Sequence, residues 1–277
     1  RSLAFTVKAM FHFVGHGVGW LLGLCILRYN LVDYTTPWWM CILIFAIGTA
    51  FATQISESLP GKPKKGGLDV SFLLDPVVFF LRERFMRRYC AAQFFIVLGV
   101  SVSFLLKSFV LAAFDWQQGS FEALMGIAGV IAAASTFFAP VLIRRYSTQV
   151  VVSRSVFVLA SATSCLVLAP LGPVFCLLPL MAKGSVSCGY TASTSLLSDK
   201  YVKDQGKSVG SVLAVCHLAQ CLGHLMYASL FNAKATSGLA QAQPFLVAAP
   251  LVWIGYGFML AAMAVRRQTD MDWGYVE

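Results

Sequence analysis

The sequence predicts an all-α membrane protein with eight transmembrane helices, and three observations carry that expectation. Of 277 residues, 58% are hydrophobic and only 12% charged, giving a mean hydropathy of +0.74, far from the balance of a water-soluble domain. The apolar residues fall into stretches long enough to cross about 30 Å of hydrocarbon as helices. Polar and apolar residues do not alternate within them, which excludes a membrane β-barrel.

The predicted spans are 6–27, 38–55, 90–114, 123–143, 151–171, 174–197, 209–231 and 245–265. Two precede and six follow a long interruption at 59–89. That hinge opens on a Pro/Gly/Lys run and continues from Asp75-Pro76, a helix cap followed by proline at the first helical position. Val77, Val78, Phe80, Leu81, Phe85 and Tyr89 then interleave with Arg82, Arg84, Arg87 and Arg88. Such a composition suits a basic helix in the headgroup layer of an anionic leaflet, and equally a connecting loop with a charged face.

The net charge of +9 would suggest nucleic acid in a soluble protein. Here the basic residues sit in loops beside the spans, so no nucleic-acid partner is expected. Sixteen fall on one side: Arg1, Lys62, Lys64, Lys65, Arg82, Arg84, Arg87, Arg88, Arg144, Arg145, Arg154, Lys200, Lys203, Lys207, Arg266 and Arg267. Arg28 and Lys234 are alone on the other. The positive-inside rule therefore places the hinge and both termini in the cytoplasm. The eight cysteines lie in or beside apolar segments without metal-ligand spacing and read as small hydrophobes rather than disulfide partners. Because the chain opens on Arg1 and leads directly into a span, the sequence reads as the C-terminal part of a longer protein.

Polar residues inside spans mark candidate function. In the first span Gly15, Gly19 and Gly23 form a small-residue stripe for helix packing, with Lys8, His12 and His16 on the same side. The histidine pair has metal spacing but no nearby third ligand, so buried, hydrogen-bonded histidine is the expectation, without a metal or other cofactor. In the sixth span Lys183, Ser187, Tyr190 and Thr194 lie within about 60° of one another, a polar stripe whose cation sits near mid-membrane. Lys183 then faces a wet cavity, a partner or a helix carbonyl. The seventh span carries His217, Gln220 and His224 on one face, and the third a looser side of Gln93, Ser101, Lys107 and Ser108, with snorkelling open to Lys107. The second, fifth and eighth spans have no charge or histidine at their centres and are expected at the periphery. All twelve acidic residues are expected in loops or at span ends, which leaves little for an enzyme using acid/base or nucleophilic chemistry.

The first and seventh spans repeat weakly at an offset of 206, with Arg1-Ser2 matching Lys207-Ser208 and Gly17 matching Gly223. That offset is about half a transporter made of two parallel six-helix repeats. With it, the turn from Ser198-Asp199-Lys200 to Gly206-Lys207-Ser208-Val209-Gly210 and the run GHGVGWLLG at Gly15 to Gly23 resemble the major facilitator superfamily. The run from Glu122 to Gly184 is similar to the organic-cation-transporter-like branch of solute carrier family twenty-two, related to the tetracycline-resistance antiporters. The resemblance implies helices five to twelve of a twelve-helix fold: 1–58 as the last two helices of the N-terminal half, 59–89 as a cytoplasmic basic linker with an interfacial helix, 90–267 as the six-helix C-terminal bundle and 268–277 as a cytoplasmic tail. It implies a secondary transporter of a small organic solute, in its finer form a proton-coupled organic cation or drug antiporter; anionic lipid at the linker is expected from the linker's own basic and aromatic composition. The sequence departs from the antiporter pattern at Leu24, Leu27-Arg28 and Ile143. A non-transporting scaffold or receptor of the same fold is the alternative.

Overall fold

The computed structural model describes residues 80–202, 204–232 and 238–273, with Leu43, Ala46 and Ile47 also helical. The first predicted span, the rest of the second and most of the hinge lie outside the described residues, and with them His12, His16, Gly15, Gly19 and Gly23.

Every regular element among the described residues is helical. Helix α1 (Arg84–Val100) passes through a 3-10 stretch (Ser101–Leu105) into α2 (Leu106–Phe114), one rod of 31 residues that ends where Asp115 turns left-handed at φ 51°. Helix α3 (Gln118–Thr136) breaks at Phe137 and Phe138, and Pro140 opens α4 (Ala139–Tyr146) in the first turn, where its missing N–H costs no bond. Ser147, at φ 70°, makes the sharp turn into α5 (Thr148–Cys165), which tightens into a 3-10 stretch around Pro170. Helices α6 (Val174–Met181) and α7 (Lys183–Lys200) run end to end, because Ala182 N–H bonds Leu178 O and Val186 N–H bonds Ala182 O across the break. Helix α8 (Gln205–Leu230), the short α9 (Gly238–Gln241) and α10 (Gln243–Trp273) complete the order.

Five of these helical segments are long and apolar enough to cross a membrane: 84–114, 118–136, 148–171, 205–230 and 243–266. The sixth predicted span is present as the broken pair α6 and α7, whose second member is rich in serine, threonine and glycine, KGSVSCGYTASTSLLSDK. One boundary moves substantially. Residues 84–89, read from sequence with the hinge and its interfacial helix, are the first turns of α1. Phe85 and Tyr89 are buried at 1% and 0% exposure. Their aromatic-basic pattern arises because the aromatic face packs inward while Arg84, Arg87 and Arg88 face out.

The rods form a ring in which α3 packs on α7, α7 on α5, α5 on α10, α10 on α1 and α1 on α8, with α7 and α8 touching lightly to close it. The α1–α10 seam is the most extensive. Two apolar cores lie at opposite ends. One joins Phe85, Met86, Ile96, Val152, Leu196 and Met259; the other joins Val102, Leu106, Phe109, Phe121, Leu166 and Phe245. The first core gathers the basic ends, where Arg88 donates to Ala261 O, Arg266 donates to Leu196 O and the Lys200 ammonium lies 5.0 Å from the Phe85 ring. The fifth span differs from its expected peripheral place, since α5 is wedged between α7 and α10 and faces the ring's interior.

Gly99 and Gly255 set the spacing of the seam. A Cβ on Gly99 would stand 2.5 Å from Val252 Cγ2 and 2.9 Å from Ala248 O, and one on Gly255 would stand 2.7 Å from Ile96 Cγ1 and 2.9 Å from Ala92 O. Gly257, two residues on, has open space instead. Gly99→Val is expected to destabilise the full chain by about 1–3 kcal/mol through overpacking, read as a lower thermal midpoint in detergent, whereas Gly257→Ala leaves the midpoint unchanged or higher. Equal midpoints for the two variants would contradict the seam.

Candidate functional site

A cavity of about 450 Å³ lies inside the ring, walled by α1 with its 3-10 continuation, α5, α7 and α8. It exists because α7 and α8 barely meet, and because the helices there present small or polar side chains. Gly223 of α8 abuts α1 so closely that a Cβ would stand 2.6 Å from Ser101 Cβ. Ser101 Oγ turns back to donate to Val97 O at 2.7 Å, so the hydroxyl is satisfied within its own helix. The tightened 3-10 geometry of α1 begins at this contact. A 3-10 stretch inside a long rod is a common site of bending.

Of the sequence candidates, Gln93, Tyr190, Thr194, His217, Gln220 and His224 line this cavity. His217 and Gln220 are exposed on the open face of α8. The His224 ring meets Phe104 at 4.6 Å between centroids, tilted by 60°, which fixes its orientation at the mouth. Thr194 Oγ1 donates to Tyr190 O at 3.0 Å, so its methyl group and not its hydroxyl is the free surface. The described lining residues include no lysine, arginine, aspartate or glutamate. What they offer is neutral hydrogen bonding, imidazole and aliphatic surface.

The base of the cavity rests on a residue that the sequence reading assigned to the hinge. Tyr89, fully buried, hydrogen-bonds Ser193 of α7 through its hydroxyl, and Gln93 Nε2 donates to the same oxygen at 3.3 Å. This chain ties α1 to α7 across the ring. Tyr89 and Gln93 stand four residues apart on one helix face, a spacing that would have revealed the pair had α1 been started at Arg84.

Other candidates are placed elsewhere. Ser187 is buried against α3, its Oγ donating at 2.8 Å to both Ala132 O and Gly184 O. The predicted stripe is thereby split between packing and cavity. Lys183 opens α7 at the break after Ala182 rather than lying nine residues into an unbroken helix. Its side chain is outside the described residues. Of the cysteines, Cys90, Cys176 and Cys188 are buried as expected, but Cys221 is exposed.

Lys107 corrects the sequence reading in a second way. Its ammonium sits 2.8 Å from Glu122 Oε1, an oxygen that also accepts from Gln118 Nε2 at 3.1 Å. Glu122 lies near the start of α3, at the span end expected of it, but is buried there, only 4% exposed. The pair bridges α2 and α3 at the end of the bundle opposite the basic loops. Fifteen residues of sequence separation across a helical hairpin hid it, because pairing there depends on how the hairpin folds back. Lys107 thus serves as the counter-ion of a buried carboxylate rather than as a cavity residue. Glu122→Ala, which removes the carboxylate shared by Lys107 and Gln118, is expected to cost about 1–3 kcal/mol, read as a lower thermal midpoint. Lys107→Met combined with Glu122→Leu should recover most of the loss, and failure to recover would assign the stability to something other than the pair.

The sequence profile of the family described as Major Facilitator Superfamily matches residues 1–228. No curated protein and no solved structure matches the chain. A match over most of the sequence, together with a helical bundle of membrane-crossing rods around a central cavity, leads to one conclusion: this chain belongs to the major facilitator superfamily, whose members are membrane transporters.

Proposed function

We propose that the chain is a secondary active transporter that moves a small organic solute by alternating access, with the cavity walled by α1, α5, α7 and α8 forming one side of its path. The observation that carries this reading is the neutral, hydrogen-bonding lining of Gln93, Tyr190, His217, Gln220 and His224. Polar side chains within membrane helices are costly in contact with lipid and are retained where they face water or substrate. Proton-coupled antiport of an organic cation or drug, the finer form suggested by resemblance, draws on the histidines. An imidazole ring carries nitrogens that can both accept and donate a proton. Lys183, which opens α7 seven residues before Tyr190, is assigned to the same path. The sidedness follows the charge imbalance, with the basic ends and both termini in the cytoplasm.

The test is uptake or efflux of a fluorescent organic cation by the full chain in proteoliposomes under an imposed pH gradient. His217→Ala combined with Gln220→Ala, and separately Lys183→Met, are expected to lower the initial rate at least ten-fold with insertion intact, while Gly257→Ala transports like the parent. Parental rates in both cavity variants would remove the proposed path. A full chain that inserts normally but moves no organic cation or anion under any gradient would favour the scaffold or receptor reading.

For orientation, tags placed near Gly66 and after Glu277 should be reached by antibody only after the membrane is permeabilised. A tag near Ala235 should be reached from the opposite side. Labelling near Gly66 in sealed, intact cells that display the protein at their surface would reverse the topology.

A further inference from the structure

We propose that the outer groove between α3–α4 and α5, floored by α7, binds one anionic phospholipid, with its phosphate on Arg145 and Arg154 and an acyl chain lying along the groove. The groove encloses about 460 Å³ and is separate from the central cavity. Its walls are apolar, supplied by Ile131, Phe138, Leu142 and Val158, and Tyr146 and Arg154 stand at its basic end. It exists because α3 stops at Thr136 and the chain kinks through Phe137 and Phe138 before α4, opening a gap that α5 does not fill. Phe138 and Val158 remain 64% and 41% exposed, which matches a surface meant for hydrocarbon.

The mouth is built for an anion. The guanidinium carbons of Arg145 and Arg154 lie 5.4 and 5.3 Å from the Tyr146 ring centroid. Cation–π contact of that kind engages a guanidinium by its face and leaves its N–H groups available for bidentate bonding to phosphate. Among the described residues no carboxylate forms an ion pair with Arg144, Arg145 or Arg154, and none lines the groove. Guanidiniums with no ion-paired carboxylate among the described residues, at the mouth of an apolar slot and the basic end of a membrane bundle, have the charge and polarity complement of a phospholipid: an anionic head at the interface and a chain running toward mid-membrane. From Val150 to Val158 the groove follows α5 for about 12 Å, several methylenes deep. The turn at Ser147, held at φ 70° with its N–H bonded to Ile143 O at 3.0 Å, fixes Tyr146 and its two arginines against this opening.

This inference rests on the membrane bundle alone and is independent of what the central cavity carries. The experiment titrates the purified full chain in neutral detergent with phosphatidylserine, phosphatidylcholine or inorganic phosphate and follows the thermal midpoint. Phosphatidylserine is expected to raise the midpoint saturably, with little effect from phosphatidylcholine or inorganic phosphate. Arg145→Gln combined with Arg154→Gln should weaken the apparent affinity for phosphatidylserine at least ten-fold. Val158→Trp, which fills the groove and keeps both arginines, should do the same. An equal shift with inorganic phosphate would reduce the site to a bare anion contact, and an equal shift with phosphatidylcholine would remove the headgroup selectivity. An undiminished response to phosphatidylserine in either variant would also overturn the proposal.

Discussion

Close approach of α1 and α10 is the constraint on which the rest of the bundle depends. Lipid tails are as apolar as leucine, so helices in a membrane gain little by hiding apolar surface from their solvent; they associate by packing tightly enough to exchange lipid contacts for better ones. Gly99 and Gly255 supply that tightness reciprocally, each facing an aliphatic side chain and a backbone carbonyl of the other helix. With the seam fixed, α8 docks on the other flank of α1, using Gly223 against Ser101, and α5 docks on α10. Aromatic contacts among Phe157, Trp253 and Tyr256 and the bond from Trp253 Nε1 to Ser164 Oγ support the second of these junctions.

Polar groups are then distributed by what each location can satisfy. At the end opposite the basic loops, α2 and α3 bury a carboxylate, and it is tolerated because an ammonium and an amide both reach one of its oxygens. In the ring's interior the solution differs. Serine and threonine hydroxyls bond carbonyls of their own helices, as at Ser101, Thr191 and Thr194, and the groups left facing the cavity are neutral amide and imidazole. The Ser193–Tyr89–Gln93 chain lies between these regimes, closing the cavity's base with hydrogen bonds where an ion pair would demand far more compensation for its lost hydration.

The broken rods share a logic. Proline and glycine interruptions fall in the segments that border either the cavity or the outer groove: Pro140 after the α3 kink, and Pro179 before the break that begins α7. Irregular backbone in a membrane survives where neighbouring helices or water satisfy it. A bundle of straight, uniformly apolar rods would have sealed both openings. The same breaks that make the fold less regular therefore provide the space in which a solute and a lipid can be held.

The all-helical membrane class was legible in the chain, because apolar length and the absence of alternation are properties of individual segments and need no partner. So was the face carrying His217, Gln220 and His224, since helical periodicity alone puts three residues on one side. The sequence likewise determined that the basic loop residues alternate from one span to the next, and the structure gathers the described ones at one end. Only the tertiary structure decided which polar residue meets which. Local periodicity grouped Ser187 with Tyr190 and Thr194, but contact with α3 turned Ser187 into a packing residue. It put Lys107 on a loose polar side of its span with snorkelling open to it, whereas the fold of the α2–α3 hairpin brought Glu122 to it. It read Phe85 and Tyr89 as part of a membrane-surface helix or a charged connecting loop, whereas the approach of α7 and α10 made them core. A helix period specifies direction around one axis. Burial, pairing and cavity walls depend on where the other axes stand, and those positions were set by glycines and kinks whose effect is expressed only once the rods have packed.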